Sequence, residues 1–513
     1  MSLPDCQGCR EYMELSRRQF LAASGGTALA FSMPAWLPRV VLAGDFCSSR
    51  DVIVSIFLNG AADCLTMCVP HVQDEYYDAR PTLAIPRPDS GSPFAAIDLD
   101  GFFGFPPMFA PLLPAYSTGN LLVVHATGLI GTNRSHFDAR RLMEVADPAS
   151  PGLFSGWLGR HLATTSPLIP NAALRAIGMA DGIQRTLQGG PKTLPIRDLA
   201  AFGLEGSSTT VTQRRIAMEG MYLGAAEALK AASETTQITM DLLNTIDFAN
   251  YTPGGGAVYP APDSSFGYAL KSTAALIKAD LGVEAVAIDI GGWDTHIEMG
   301  AIDGLLSLKL ADLAAGLAAF HLDMASGNGR NVTVVVMSEF GRRLLENGSL
   351  GTDHGYGTAM LVMGNNIDGG RVLTQWPGLA PEQLFEGRDL EITIDYRDIL
   401  AEIVQQRLGN PNLDLVFPNY TPTFRGVTTA CQQVDLNCDG QENLNDVPGF
   451  IQAVTDSEAY RSGDPACNVM GADVNGDGVL DARDVQGFVG RLTQQQSAGA
   501  ARPAPRPKSR RSR

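Results

Sequence analysis

Short apolar runs alternate with longer amphipathic stretches between residues 51 and 400. Such alternation is typical of an α/β domain, in which buried strands are connected by helices that cover the sheet. We therefore predict an α/β fold with a largely parallel sheet flanked by helices. One predicted helix covers residues 302–324, where apolar residues recur at helical spacing from Leu306 to Phe320. The predicted strands are DVIVSIFL (51–58), LLVVH (121–125), EAVAIDI (284–290), VTVVVM (332–337) and AMLVM (359–363).

Composition and charge narrow the class of protein. At 513 residues the chain exceeds one ordinary core, so we expect one large domain with appendages. Hydrophobic residues make up 45% and charged residues 18%, which fits a globular protein. The formal net charge of -17 argues against a nucleic-acid partner and favours cations as ligands.

Polar side chains stand directly after four of the predicted strands and directly before the fifth. Ligands of open α/β sheets bind beyond the carboxyl ends of the strands, so we expect these side chains to share one edge. Carboxylates and imidazoles together favour zinc, manganese or iron, whereas carboxylates alone favour calcium or magnesium. We therefore predict a site for a divalent transition metal here. The candidate side chains are Asp63 in NGAADC, Ser135 and His136 in RSHFDA, Asp294 and His296 in GGWDTH, Glu339 in SEFGR, and Asp353 and His354 in GTDHGYG.

Four segments carry longer motifs: DCLTMCVPHVQDEYYDARPTLAIP, TNRSHFDARRLME, IDIGGWDTH and VVVMSEFGRRLLENGSLGTDHGYGTAMLVMGNNIDGGRV. Together they resemble the domain-of-unknown-function 1501 family of exported bacterial proteins, over most of residues 51–400. The resemblance implies membership of the alkaline phosphatase and sulfatase superfamily, whose members hydrolyse phosphate or sulfate esters over paired metals. The fold implied is therefore alkaline phosphatase-like.

The superfamily resemblance implies that six of these side chains bind a pair of metals, zinc or manganese. Asp63 would hold one metal, and the motif with Asp294 would hold the other. The roles of Glu339 and Asp353 are exchangeable, because a second alignment makes Asp353 and His354 the Asp-His pair of the superfamily. The implied metal ligands are Asp63, Asp294, His296, Glu339, Asp353 and His354.

The same resemblance implies which groups act on the ester. Ser135, at the predicted start of a helix, takes the place of the nucleophile, although a serine there is equally often a helix cap. Arg134 or Arg342 would hold an oxygen of the phosphate or sulfate in a bidentate contact, and either is equally a surface ion-pair partner. For all three residues both roles stay open at the level of sequence.

Residues 431–493 contain an internal duplication. The loops DLNCDGQENLND and DVNGDGVLDARD begin at Asp435 and Asp473, 38 residues apart, and are followed by VPGF and VQGF. Each loop has oxygen-bearing side chains at positions one, three, five, nine and twelve and glycine at six, the arrangement of an EF-hand calcium loop. The aspartate at position twelve resembles dockerin modules, which bind cohesin partners. The predicted calcium ligands are Asp435, Asn437, Asp439, the carbonyl of Gln441, Asn443, Asp446, Asp473, Asn475, Asp477, the carbonyl of Val479, Asp481 and Asp484.

The two ends of the chain predict export and a solvated tail. MELSRRQFLAASGG combines Arg17 and Arg18 with a weakly apolar run, the pattern of a twin-arginine export signal, with cleavage after Ala43. Glycines and a proline interrupt the run, so we expect no transmembrane segment in the mature chain. We predict a periplasmic, cell-surface or extracellular location. The predicted segments are a signal peptide at 1–43, the α/β domain at 44–419, a linker at 420–430, a dockerin-like all-α module at 431–493 and a disordered basic tail at 494–513.

Two functions are compatible with the sequence. The first is an exported metal-dependent hydrolase of a small or polymeric phosphate or sulfate ester, tethered by a calcium-folded module to a cohesin-like protein or cell-surface component. Because dockerins often accompany polysaccharide-degrading enzymes, a sulfated polysaccharide is the candidate polymer. The second is a non-catalytic secreted or surface scaffold protein with calcium-dependent docking. Ester turnover with bound metal distinguishes the first from the second.

Overall fold

The computed structural model describes residues 50–499 with short interruptions. The chain divides into two units, Met1–Gly44 and Asp45–Arg513, and all described residues belong to the second. The predicted signal peptide and the part of the predicted tail beyond residue 499 therefore lie outside the described residues. The interruptions are 132, 151, 205, 261–264, 327–329, 430–434, 438–442, 458, 461–468, 473 and 475–479.

A mixed β-sheet forms the centre of the protein. The strands are β1 Val52–Leu58, β2 Ile97–Asp98, β3 Gly104–Phe105, β4 Leu121–Gly128, β5 Ala176–Gly178, β6 Thr193–Pro195, β7 Ala285–Ile290, β8 Val332–Ser338, β9 Arg342–Glu346, β10 Thr352–His354, β11 Thr358–Met363, β12 Arg371–Leu373 and β13 Ile394–Asp395. The central sheet has nine strands in the order β12, β4, β11, β8, β1, β7, β5 and β6, with β13 paired to β4. The remaining strands form two small antiparallel pairs, β2 with β3 and β9 with β10.

Helices cover both faces of this sheet. The α-helices of the described residues are α1 Cys64–Met67, α2 Asp74–Ala79, α3 Leu113–Ser117, α4 His136–Val145, α5 Trp157–Thr164, α6 Val211–Tyr222, α7 Glu227–Leu243, α8 Ser265–Lys278, α9 Leu305–Ala325, α10 Tyr396–Gln406, α11 Leu413–Val416, α12 Val447–Thr455 and α13 Asp484–Gly499. Short 3₁₀ helices lie at Pro107–Leu112, Arg185–Leu187, Ser208–Thr210, Pro381–Gln383, Leu444–Asp446 and Val469–Ala472. The predicted α/β class is therefore correct.

Alternate residues of the strands supply two hydrophobic cores, one on each face of the sheet. In β1, Val52, Val54 and Ile56 belong to the core that contains residues of α8 and α9. Ile53 and Phe57 belong to the core that contains residues of α4, α5 and α10. A strand buried on both faces reads as a continuous apolar run, which explains why these strands were visible in the sequence.

Helix α9 confirms the helix predicted from apolar spacing. It begins at Leu305 and packs against α8 and the 3₁₀ helix Pro107–Leu112. The apolar residues at helical spacing are buried in the first core, namely Leu306, Leu310, Leu313, Leu317 and Phe320. By length and composition α9 is able to cross a membrane, yet half of its most apolar window is buried within the protein. Burial against the sheet accounts for its apolar composition.

All five predicted strands are present, but one of them runs against the others. Strand β1 pairs parallel with β7 and β8, whereas β11 pairs antiparallel with both β4 and β8. A parallel neighbour needs a crossover connection, usually a helix, and the residues between β8 and β11 form only the β9–β10 hairpin. The start of β11 therefore lies at the same edge as the carboxyl ends of β1, β4, β7 and β8.

The segment predicted as a linker packs against helix α10. The buried carboxylate of Glu402 accepts backbone N–H groups from Arg425 at 2.7 Å, Val427 at 2.6 Å and Thr428 at 3.1 Å. A carboxylate that accepts several backbone N–H groups ties the chain to its helix. Residues 420–429 therefore lie against the α/β domain.

The described part of the C-terminal region has a hydrophobic core of its own. Phe450 on α12 and Phe488 on α13 stack with ring centroids 3.9 Å apart. These residues end VPGF and VQGF, so they are equivalent positions of the duplication. Helix α13 runs to Gly499, and the first residues of the predicted disordered tail, 494–499, are therefore helical.

A buried ion pair fixes the loop after β1. The side chains of Asp63 and Arg80 are both 0% exposed. Arg80 donates from Nη1 at 2.5 Å and from Nη2 at 2.9 Å to the two oxygens of Asp63. Burial alone would raise the pKa of Asp63, but Arg80 holds it below the ordinary value. The contribution of the pair to stability is therefore present above the ordinary aspartate pKa and is lost only on acidification below it.

We expect Asp63→Asn to lower the free energy of unfolding by about 3–5 kcal/mol, because it leaves the buried guanidinium of Arg80 without its counter-charge. Chemical denaturation measures this change. Asp78→Asn, at an exposed position of α2, is the matched control and should change stability by less than about 0.5 kcal/mol. Unchanged stability of Asp63→Asn together with loss of bound metal would instead support the ligand role predicted from the sequence.

Candidate metal centre

Three imidazole rings and one carboxylate converge at the carboxyl edge of the sheet. Nε2 of His354 lies 2.9 Å from Nε2 of His136 and 2.9 Å from Nε2 of His296. Oδ1 of Asp294 lies 3.0 Å from Nε2 of His296, and it lies 3.2 Å and 3.5 Å from the Nε2 atoms of His354 and His136. The donor atoms of His136, Asp294 and His354 thus all lie within 4.8 Å of one another, and Nε2 of His296 lies beside two of them.

The sheet topology brings these four side chains together. His136 is the first residue of α4 and follows β4, while Asp294 and His296 lie in the loop after β7. His354 ends β10, directly before β11. Because β11 runs antiparallel to its neighbours, its start lies beside the ends of the other strands. Ligands of open α/β sheets bind at this edge.

The second nitrogen of each ring is held by an oxygen atom. The three contacts are His136 Nδ1 to Glu339 Oε1 at 2.6 Å, His354 Nδ1 to the carbonyl oxygen of Arg134 at 3.0 Å, and His296 Nδ1 to Asp353 Oδ1 at 3.4 Å. An ionised carboxylate or a carbonyl only accepts hydrogen bonds, so each Nδ1 carries the proton. Burial and the charge of His136 also lower the pKa of His354, which favours its neutral ring. With a proton on Nδ1, each ring in its neutral form presents the lone pair of Nε2 to the centre of the cluster.

The donor atoms of His136, Asp294 and His354 lie close enough together to hold a divalent ion. Lone pairs on neighbouring nitrogens 2.9 Å apart repel each other unless a proton or a metal ion lies between them. A tetrahedral zinc ion with Zn–N bonds of about 2.0–2.1 Å holds two nitrogens about 3.3 Å apart. Imidazoles suit zinc and other transition metals, and metal-binding histidines almost always donate their second N–H to an oxygen. The donor set and the anchored Nδ1 atoms are of the kind that a transition metal uses, and the metal class stays a prediction.

Arg342 fixes the carboxylate of Asp294. Its guanidinium is 0% exposed and donates to Oδ1 of Asp294 at 2.6 Å and to the carbonyl oxygens of Ala61 and Thr352. Partial burial opposes ionisation of Asp294, but Arg342 and the neighbouring His354 lower its pKa to about 2. Arg342, one of the two arginines expected to hold the ester, therefore lies behind Asp294 and has no access to a substrate.

Glu339 and Asp353 lie behind the imidazoles rather than among the four converging atoms. Glu339 is buried and also accepts the N–H of Gly60 at 2.8 Å. Burial would raise the pKa of Glu339, but the hydrogen bond from His136 keeps it below the ordinary value. The same hydrogen bond raises the pKa of His136. Glu339 and Asp353, whose predicted roles were exchangeable, thus have the same role. Glu339 anchors the ring of His136, and Asp353 anchors the ring of His296.

Two other predicted site residues lie outside the four converging atoms. Asp63 does not enter the cluster, because Arg80 binds both of its oxygens in the interior. Ser135 is the N-cap of α4, and its Oγ accepts the N–H of Asp138 at 3.5 Å. The serine directly precedes His136, so the helix-cap role and the nucleophile role predicted for it are compatible with its position.

Arg134 is engaged in ion pairs. Its side chain is 27% exposed and donates from Nη2 to Glu386 at 2.9 Å and to the buried Asp389. Of the two candidate arginines, Arg134 alone is partly accessible. The sequence did not predict that the backbone carbonyl of Arg134 anchors His354.

His136 is the converging residue that the predicted ligand set lacks. The sequence places it directly after the second predicted strand, but the superfamily resemblance assigns this position to the adjacent Ser135. The signal that pointed to His136 was its placement directly after a predicted strand, as Asp294 and His296 are placed after another. Which of two adjacent residues points inward depends on where α4 begins, and that is a tertiary property.

Six of the twelve predicted calcium ligands are among the described residues. The buried carboxylate of Asp446 accepts the N–H groups of Leu436 at 2.8 Å and Asn443 at 2.7 Å. Asp484, also buried, accepts the N–H of Asp481 at 3.0 Å. The carboxylates at position twelve are thus turned into their loops. Asp435, Asn437, Asn443, Asp446, Asp481 and Asp484 are described, whereas Asp439, Gln441, Asp473, Asn475, Asp477 and Val479 lie outside the described residues.

Comparison with known proteins identifies one family. No curated protein and no solved structure matches the chain. The DUF1501 family model, described as a protein of unknown function, matches residues 125–411, more than half of the chain. This range includes every residue of the cluster and of its anchors, whereas Asp63 and the C-terminal loops lie outside it. The chain therefore belongs to the DUF1501 family, as the resemblance of its motifs predicted.

Proposed function

We propose that the chain is an exported hydrolase of phosphate or sulfate esters that depends on one divalent transition metal. The observation that carries the proposal is the convergence of three Nε2 atoms and Oδ1 of Asp294. Catalytic zinc sites keep a coordination position open for water or substrate. The side chains of Asp294 and His296 are 46% and 37% exposed, so solvent reaches the point at which they converge. This accessibility favours a catalytic centre over a purely structural one.

Each residue of the cluster has a defined task in this proposal. His136, His296 and His354 would hold the ion through Nε2, and Asp294 through Oδ1. Bound zinc or manganese supplies a Lewis acid for an ester oxygen and lowers the pKa of a coordinated water. The anchored Nδ1 atoms would keep the three rings oriented between turnovers.

The start of α4 supplies groups for the ester itself. Ser135 would attack the phosphorus or sulfur atom, release the alcohol and pass the acquired group to water. The N-terminus of a helix favours anions, because unpaired backbone N–H groups and the helix dipole both attract negative charge. The partly exposed guanidinium of Arg134 would bind an oxygen of the phosphate or sulfate in place of Glu386.

The alkaline phosphatase and sulfatase superfamily is the proposed wider relationship. A parallel-rich α/β sheet, a serine at a helix start and an Asp-His motif at the same edge support it. The superfamily uses paired metals, whereas Asp63, the expected ligand of one of them, is bound to Arg80. We therefore propose that this chain holds one ion at this edge.

The C-terminal region is proposed to be a dockerin-like calcium-binding module. The duplicated loops, the buried carboxylates of Asp446 and Asp484 and the stacked pair of Phe450 and Phe488 support this assignment. Such a module would tether the enzyme to a cohesin-like protein or another cell-surface component. The twin-arginine motif supports export to the periplasm, the cell surface or the medium. These associations make a sulfated polysaccharide the proposed polymeric substrate.

We expect His354→Ala to abolish stoichiometric zinc or manganese binding, because Nε2 of His354 contacts both other rings. Elemental analysis of the purified full chain, after equilibration with the metal and dialysis, measures the loss. His321→Ala, at a partly buried histidine of α9, is the matched control and should keep its metal. An unaltered protein without bound transition metal would contradict the hydrolase proposal. Calcium-dependent docking would then be the better supported function.

We expect Glu339→Gln to weaken metal binding about 10- to 100-fold at neutral pH, because it removes the carboxylate that orients His136. The change should also lower the raised pKa of His136, since the negative partner that stabilises its imidazolium is gone. Protons compete with metal for Nε2, so the pH below which affinity begins to fall should be lower in the variant. Chelator competition across a pH series measures both effects.

Glu382→Gln is the control for this experiment, because Glu382 is exposed on the 3₁₀ helix Pro381–Gln383. It should reproduce the affinity and the pH profile of the unaltered protein. Equal affinity of Glu339→Gln and the unaltered protein would contradict the anchoring role.

We expect Ser135→Ala to abolish turnover of aryl phosphates or aryl sulfates while metal content stays intact, because the hydroxyl acts on the ester and is not a ligand. Loss of the helix cap should cost about 1 kcal/mol of stability, which thermal unfolding checks. Turnover retained by Ser135→Ala would exclude the serine and assign the attack to water.

A further inference from the structure

One buried carboxylate lies behind the anchors of the imidazole rings. Asp389 follows the 3₁₀ helix Pro381–Gln383, and its side chain is 0% exposed. The guanidinium groups of Arg134, Arg343 and Arg388 all face it. A buried charge is costly unless it is paired, so Asp389 and these arginines constrain one another's positions.

The first connection runs through Arg134 to His354. Nε and Nη2 of Arg134 both donate to Oδ2 of Asp389, the former at 3.0 Å. The backbone carbonyl of Arg134 accepts the Nδ1–H of His354 at 3.0 Å. Arg134 also lies two residues before His136, the first residue of α4. A displaced Arg134 would therefore move the anchor of one ring and the start of the helix that carries another.

The second connection runs through Arg343 to His296. Nε of Arg343 faces Oδ1 of Asp389 at 4.0 Å, and the two residues also form an antiparallel backbone bridge. Nη1 of Arg343 donates to Oδ2 of Asp353 at 3.3 Å. Oδ1 of Asp353 in turn lies 3.4 Å from Nδ1 of His296. Asp389 thus faces Arg343, Arg343 binds Asp353, and Asp353 anchors the ring of His296.

The loop that carries Asp389 is itself held in place. Asp389 and Phe385 exchange backbone hydrogen bonds at 2.8 and 3.1 Å. The ring of Phe385 stacks on Tyr356 with centroids 4.0 Å apart, and the hydroxyl of Tyr356 accepts the N–H of Gly131 at 2.7 Å. Gly131 follows β4 and Tyr356 precedes β11, so the loop is tied to the segments that deliver His136 and His354.

We propose that Asp389 is a positioning residue of the metal centre, acting through Arg134 on His354 and through Arg343 and Asp353 on His296. This inference rests on the metal-binding function proposed above. Functional groups have to be held within about 0.5 Å of their productive geometry. Neutralising Asp389 removes the charge that restrains both arginines. The anchors of His354 and His296 would then move, and the two rings would change orientation.

The test replaces Asp389 by asparagine in the full chain and uses cobalt(II) as the probe. Excess calcium occupies the predicted C-terminal loops, so cobalt reports on the α/β domain. Asp389→Asn should lower cobalt affinity about 10- to 100-fold and change the visible absorption spectrum, which reports the coordination geometry. A spectral change distinguishes ring orientation from a general loss of stability.

Asp51→Asn is the matched control. Asp51 is also a buried aspartate paired with an arginine, Arg407 at 2.8 Å, but it directly precedes β1 at the opposite edge of the sheet. This variant should lower Tm and leave the cobalt affinity and the spectrum unchanged. An Asp389→Asn protein that behaves like Asp51→Asn would overturn the proposal.

A second variant tests the route through Arg134 and keeps the test available if Asp389→Asn does not fold. Arg134→Gln removes the same ion pair from its other side, so by itself it should lower cobalt affinity about 10- to 100-fold. Where Asp389→Asn folds, the affinity losses of the two single variants should not add in the double variant. Additive losses would overturn the coupling. Failure of the unaltered protein to bind cobalt would overturn the metal-dependent function together with this inference. Equal binding by the unaltered protein, Asp389→Asn and Arg134→Gln would overturn the inference alone.

Discussion

The direction of β11 is the constraint on which the candidate site depends. Strand β8 leads into the β9–β10 hairpin instead of a crossover helix, so β11 returns antiparallel beside it. His354 then arrives where β4 and β7 end, in contact with His136 and His296. Two glycines of the GTDHGYG stretch make this approach possible. A Cβ at Gly351 would lie 2.3 Å from the backbone of His296, and one at Gly355 would lie 2.4 Å from the backbone of β9.

Charge around the cluster is arranged in layers of alternating sign. Asp294 faces the point of convergence and is held from behind by Arg342. Glu339 and Asp353 stand behind two of the rings, and Asp389 stands behind the arginines in the next layer. Buried charges without partners would destabilise the fold, so each layer requires the one behind it. Most carboxylates near this edge therefore orient the imidazole rings or their anchors rather than join the converging donor atoms.

For Asp63 and His136 the sequence indicated the edge of the sheet but not the direction of the side chain. Both follow a predicted strand, and their position after the strand correctly indicated the edge at which they lie. The direction of a side chain after a strand depends on its partners, and Arg80 turns Asp63 into the interior. His136 faces the cluster because Glu339, far away in the chain, holds its Nδ1. Ser135 and His136 both follow the second predicted strand, and the superfamily pattern assigns its role to Ser135.

The sequence by itself determined the α/β class, the five main strands, the helix α9 and the membership of the family, because strand and helix periodicities and motifs are local properties. It also placed Asp294 and His296 directly after one strand and His354 directly before another. Only the tertiary structure decided the direction of β11, the burial of Asp63 and the proton positions on the rings. The physical reason is that these features depend on pairs of residues distant in the chain, such as Arg134 with Asp389, whose contacts local spacing does not specify.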